Sequence, residues 1–150
     1  MSSVDALDFC LAIGRAHASL NLKLREDLGA FHGLDYEDFT LLHLLLRAEG
    51  GRMAMPDLSR ALGLPMSALL RKMVLLEKTG LAERRAGANE DQSHDHRLAA
   101  IRPGGRKLMQ AAVTTAEAIC ADAVKPLAPE SLPQIHAALL ALCLADTPNT

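Results

Sequence analysis

The stretch between residues 55 and 80 constrains this chain most, because Pro56, Gly63, Pro65 and Gly80 cut it into two short segments. Each segment carries apolar residues at helical spacing. Pro56 suits the first turn of a helix, where its missing N–H has no partner to lose. That helix is short, residues 55–62, and Gly63 stops it. Pro65 opens a second helix that reaches Thr79 and is capped by Gly80. Two helices joined by a three- or four-residue turn containing glycine form a helix-turn-helix pattern.

The flanks complete a mainly helical chain. Residues 4–29 read as one long helix, with Leu7, Leu11, Leu20, Leu24 and Leu28 near helical spacing, and Gly33 as the break. Asp35 is an N-cap for a helix over 36–47, whose first turn holds Glu37 and Asp38 at the positive end of the helix dipole. Gly50 and Gly51 end it, and residues 52–54 are short and extended. After Gly80, residues 81–86 predict a strand, 87–94 a polar turn, and 97–101 the returning strand. A helix-turn-helix followed by a β-hairpin is a winged helix. Pro103 starts a fifth helix through residue 124, and a last helix covers 132–144. The fold expected is mainly α with a small β-hairpin wing (α+β), as one intertwined domain. Within it, residues 1–34 and 107–150 carry dimerisation helices, and 35–106 form the winged helix-turn-helix.

Composition bounds the chemistry. The only aromatics are Phe9, Phe31, Phe39 and Tyr36, so aliphatic side chains must fill the core. Cys10, Cys120 and Cys143 are far apart, with no C-x-x-C pair, which argues against a stapled secreted fold or a structural zinc site. Each cysteine is expected as a buried small hydrophobe. Residues 1–15 have no leading basic residues, and no apolar run is long enough for a bilayer, so a cytoplasmic protein with no membrane partner is expected. The net charge of −2 hides an asymmetry: residues 52–107 hold 11 Lys/Arg against 6 Asp/Glu, and the rest 5 against 12. A basic middle between acidic flanks is expected where one segment meets phosphates.

The segment Leu62-Gly63-Leu64, then Ser67, Leu69, Arg71, Met73 and Leu76-Glu77-Lys78-Thr79-Gly80-Leu81-Ala82-Glu83-Arg84, resembles the recognition helix and L-E-x-x-G-L-[VA]-x-R exit of the MarR family of transcriptional regulators. Asp95-His96-Arg97, then Ile101 and Gly105-Arg106, resembles that family's D-x-R wing and the start of its next helix. The likeness departs at Ile101-Arg102, where the family usually has Leu-Thr. It departs also in a wing over 85–95 several residues longer than usual, and in apolar Val74 and Leu75. It implies a homodimeric, sequence-specific regulator, usually a repressor, that binds a pseudo-palindrome of double-stranded DNA and is released by a small aromatic or phenolic effector. No cofactor is implied.

On this reading Ser67, Ala68, Leu70, Arg71 and Lys72 lie on or near the exposed side of the recognition helix, with Leu69, Met73 and Leu76 opposite. Arg71 is the base-reading candidate, with a phosphate contact or a pairing with Asp57 as alternatives. By the resemblance, Arg97 enters a minor groove and Asp95 orients it. Arg52, Arg60, Arg84 and Arg85 are phosphate candidates, and His94 and His96 are solvent- or phosphate-facing rather than metal ligands. Arg15, His17, His32, Tyr36 and His43 are candidates for the effector pocket that the resemblance places between the dimer helices and the reading head.

Two other readings compete. Cys10 resembles the reactive cysteine of hydroperoxide sensors in the family, with Cys120 near a resolving position and Tyr36 like a thiol-contacting tyrosine. The second activating tyrosine is replaced by Leu24, and a buried thiol without donors stays unreactive. Alternatively, a winged helix can serve protein interaction without DNA. Catalysis is not supported. Cys10 and His17 share a helix face two turns apart, about 10 Å along the axis, too far for proton transfer.

Overall fold

The computed structural model describes residues 3–86 and 97–144. Helix α1 (Ala6–His32) begins at Asp5, whose carboxylate accepts the Asp8 N–H at 2.7 Å. It runs three residues past the expected end, because Gly33 takes a left-handed φ of 67° and the Leu34 N–H reaches back to Leu28 O at 3.1 Å. Leu34, buried, seals that turn. Helix α2 (Tyr36–Arg47) has a reciprocal cap: Asp35 Oδ1 accepts the Asp38 N–H at 2.7 Å, and Asp38 Oδ2 accepts the Asp35 N–H at 3.4 Å. A 3-10 turn over Glu49–Gly51 leads into β1 (Arg52–Ala54).

Helices α3 (Met55–Leu62) and α4 (Met66–Lys78) form the helix-turn-helix, joined through Gly63, Leu64 and Pro65. Within the turn, the Leu64 N–H bonds Ser59 O, and the Ser59 hydroxyl donates to Leu64 O at 2.6 Å. Strands β2 (Ala82–Arg85) and β3 (Leu98–Ile101) pair antiparallel, and β1 joins the free side of β3, giving the order β1-β3-β2. The hairpin expected from sequence is therefore two strands of a three-stranded sheet. Helix α5 (Pro103–Ala123) follows with no side-chain cap at Arg102, as the missing threonine foretells. A 3-10 turn over Pro129–Ser131 then leads to α6 (Leu132–Leu144).

One aliphatic core joins these pieces. Leu24 and Leu28 of α1, Leu41, Leu42 and Leu45 of α2, Leu58 of α3, Leu69, Met73 and Leu76 of α4, and Met109 and Ala112 of α5 are all buried in it. At about 1.5–3 kcal/mol for each large side chain removed from water, this shared core is what seats α4. The outer faces are different. Leu7 is 66% exposed and Phe31 72%, and Leu11, Leu22, Ile135, Leu139, Leu140 and Leu142 are exposed as well. The expectation of three buried cysteines fails here: Cys10 and Cys143 are exposed and only Cys120 packs against the core. The reason is that the described residues leave the start of α1 and most of α6 exposed.

Candidate nucleic-acid interface

Helix α4 presents two chemically distinct sides. Leu69, Met73 and Leu76, at a spacing of four and three, face the core, which turns Ser67, Leu70, Arg71 and Leu75 outward. Ala68 is half-buried beside them. Among the described residues the alternative pairing of Arg71 with Asp57 is not formed, and Asp57 instead bonds Arg60 one turn along α3. Both members of that pair are exposed, so it holds the Arg60 side chain only weakly and leaves it available to an anion.

The wing base is tied to the helix-turn-helix through the backbone. The Met55 N–H, at the start of α3, donates to Arg97 O at 2.9 Å. Leu98, the next residue, stands between Ala54 of β1 and Arg85 of β2. Arg97 is exposed, and its charge is felt by Glu77 at the end of α4. It thus stands just before β3, beside the first residue of α3. His94, Asp95 and His96, and with them the expected Asp95–Arg97 pairing, lie outside the described residues.

The remaining arginines divide by role. Arg84, expected at phosphate, makes a two-pronged bond to Glu77: Nε to Oε1 at 2.6 Å and Nη2 to Oε2 at 3.2 Å. The Arg84 backbone N–H adds a third bond, to Glu77 Oε1 at 3.2 Å. The hydrogen bond from Arg84 holds the Glu77 carboxyl below its ordinary range. Arg84 therefore locks β2 to the C-terminal turn of α4. Arg85 pairs with Glu83 at 2.6 Å, and Arg102 approaches the same carboxylate at 4.0 Å. Arg52, exposed on the edge strand β1, stands opposite Ala100.

Lys72 departs from expectation. Its side chain, only 17% exposed, turns away from the outward face onto the start of α2. There its ammonium bonds Asp35, lies 3.1 Å from Asp38 and stands 3.6 Å from Glu37. Burial pushes the Asp35 carboxyl up, but hydrogen bonds from Lys72 and the Asp38 N–H outweigh it and leave that group below its ordinary value. Asp38 moves up, through burial and the neighbouring Asp35 charge. Sequence reading missed this group and the Glu77 bond. Glu77 and Arg84 are at least close in sequence across a turn, whereas the 37 residues from Asp35 to Lys72 leave no local signal.

The five effector-pocket candidates are brought together only in part. His17 of α1 meets the Tyr36 ring edge-on at 5.3 Å. His43 stacks on Phe39 at 5.8 Å, and His32 Nε2 lies 2.8 Å from Thr115 Oγ1 of α5. Arg15 is exposed on α1. Among the described residues, no group of three or more His, Cys, Asp or Glu is placed to hold a metal ion.

Comparison with solved structures identifies the architecture. The chain superposes on Sco3205, a MarR family transcriptional regulator from Streptomyces coelicolor solved in complex with DNA, with a TM-score of 0.80 and 18% identity over 99% of this chain and 93% of that one. CouR from Rhodococcus jostii RHA1, bound to p-coumaroyl-CoA, gives 0.80 at 17% identity over 100% and 99%. AbsC, a MarR family regulator from Streptomyces coelicolor, gives 0.76 at 24% identity over 97% of both chains. No family model matches the sequence, and no curated protein matches it.

Proposed function

The winged-helix fold of MarR family regulators is the premise here, and on it we propose that this protein is a homodimeric, sequence-specific DNA-binding transcriptional regulator rather than an enzyme. The observation that carries the reading is that Ser67, Leu70 and Arg71 are exposed on α4 and Arg97 is exposed beside the start of α3, in elements that share one core. A helix of this kind fits a major groove, and an arginine beside it suits the narrow, electronegative minor groove that adjoins. A DNA complex of a structurally similar regulator supports the same reading.

The exposed apolar faces of α1 and α6 support pairing with a second copy, since patches of this kind mark interaction surfaces. A two-fold pair of reading heads recognises a pseudo-palindrome with half-sites about one helical turn apart. In this reading residues 1–34 and 107–150 form the dimer scaffold and 35–106 the head. The protein acts in the cytoplasm as a repressor, and among the described residues no helix is long and apolar enough to cross a membrane. The ring contact between His17, midway along α1, and Tyr36, at the start of α2, supports a small aromatic effector binding between these helices. Similar folds have been solved with 4-hydroxyphenylacetate and with p-coumaroyl-CoA.

Selection from a randomised duplex pool, with sedimentation of the free protein, tests this. The expected result is a dimer that enriches a two-fold-related sequence. Arg97→Ala is expected to weaken the selected duplex strongly while leaving the dimer intact. Arg71→Ala is expected to relax preference at one position in each half-site, at a cost of about 1–3 kcal/mol. A monomer that enriches nothing at low salt overturns the reading.

A further inference from the structure

The Lys72 cluster has a consequence beyond DNA contact. Lys72 stands on the recognition helix, one residue after Arg71, yet a helix turns about 100° per residue, so the two side chains leave in different directions. That of Lys72 reaches the start of α2, where Asp35, Asp38 and Glu37 all lie within 4 Å of its ammonium. Two of these carboxylates also close the reciprocal cap of α2. The same turn carries Tyr36, in ring contact with His17 of α1. One side chain therefore ties the middle of the reading helix to the turn where α1 and α2 meet.

We propose that Lys72 is a positioning residue: its bonds to Asp35 and Asp38 set how α4 is seated, and so set discrimination between DNA sequences, without Lys72 touching DNA. Three arguments carry this. The ammonium already has three carboxylates around it and little exposed surface, so releasing it to a phosphate would strand Asp35 and Asp38 side by side without a counter-charge. The apolar anchors Leu69, Met73 and Leu76 hold α4 on the core but are non-directional. The second polar tie, Glu77 to Arg84, sits at the far end of the helix. Lys72 supplies the directional restraint near the residues that face the grooves. Burial and the adjacent Asp35 charge already strain the ionised form of Asp38, which fits a cluster that depends on its lysine.

This rests on the DNA-binding reading, and the test separates the two. The probe is the duplex enriched by the wild-type protein from a randomised pool, set against a scrambled duplex of equal length and titrated at several salt concentrations. Lys72→Met is expected to lower the ratio of selected to scrambled affinity about tenfold, within the range for residues coupled in one network, and to leave the salt slope unchanged. Lys72→Arg is expected to restore most of the ratio. A phosphate contact would behave otherwise: Lys72→Met would shrink the log–log salt slope by about 0.9 and weaken both duplexes alike. That outcome, or an unchanged ratio, overturns the proposal and leaves DNA binding standing. If Lys72→Met does not fold, Asp38→Asn keeps the lysine and is expected to lower the ratio in the same direction; an unmoved ratio there overturns the proposal too. A wild-type protein that enriches no sequence overturns both readings together.

Discussion

Gly105 is a position where the backbone itself leaves no room for an added methyl group. It lies buried in the first turns of α5, and a Cβ there would sit 2.2 Å from Leu81 O and 2.9 Å from Ile101 Cγ1. Neither neighbour can step aside. Leu81 O already accepts the Arg102 N–H at 3.0 Å, and Ile101 is buried in β3, paired with Ala82. Carbon and oxygen ordinarily approach to roughly 3.3–3.6 Å, so Gly105→Ala must push the start of α5 away from Leu81 by about 1 Å. Overpacking of this kind costs roughly 1–3 kcal/mol, and the better helix propensity of alanine offsets at most about 1 kcal/mol. With the full offset the net loss is up to about 2 kcal/mol, which in a protein of this size lowers Tm by up to about 8 °C.

The assay is thermal unfolding followed by circular dichroism, at matched protein concentration because association shifts Tm. Gly29→Ala is the control. Its Cβ would meet only Leu34 O, at 4.0 Å, so it is expected to stabilise α1 by about 0.5–1 kcal/mol. The strained contact joins α5 to the strand pair that ends at Arg97, so Gly105→Ala is also expected to weaken DNA binding. If Gly105→Ala melts at or above wild type while Gly29→Ala behaves as stated, the close approach of α5 to Leu81 is not a packing constraint and the reasoning fails.

Two further outcomes follow from single side chains. Burial, helped by the Arg47 charge, holds the His43 imidazole below its ordinary pKa, so the unfolded chain takes up a proton before the folded one does. Stability is then complete above about 6.5 and is lost as pH falls through the lowered value; in denaturant titrations between pH 7.5 and 5.5, His43→Gln should flatten that loss, and an unchanged slope would count against it. Cys10→Ser is expected to bind the selected duplex like wild type both before and after peroxide; if peroxide releases the wild-type protein and not the variant, the oxidation-sensing alternative takes precedence.

Local chemistry made the helices legible. Asp35 before Tyr36, Pro56 and Gly63 around α3, and Gly80 after α4 each satisfy or terminate a helix end by a rule that acts within a few residues. The outward side of α4 followed from period alone, once Leu69, Met73 and Leu76 were assigned to the core. Long-range pairings were not legible. That β1 joins β3 depends on Arg52 meeting Ala100, far along the chain. Helical period removes Lys72 from the buried side without saying that acids on another helix wait for it. Burial of Cys10 is what its residue type suggests, yet it is exposed, as are Phe9 and Leu11 beside it.

The two polar ties of α4 bear on how the head responds to salt. Exposed pairs such as Arg60 with Asp57 contribute about 0–1 kcal/mol and fade as ions are added. The Lys72 cluster and the Glu77–Arg84 bond are shielded on at least one side, Lys72 at 17% exposure and Asp38 at 20%, so bulk ions screen them less. Affinity for any duplex should therefore collapse with salt well before the seating of the helix does, because phosphate contacts release counterions and internal ties do not. Discrimination, the ratio of two affinities measured at one salt concentration, then depends on the internal ties and on the direct base contacts. On the proposed reading, the side chains that seat α4 are as decisive for selectivity as those that would meet the groove.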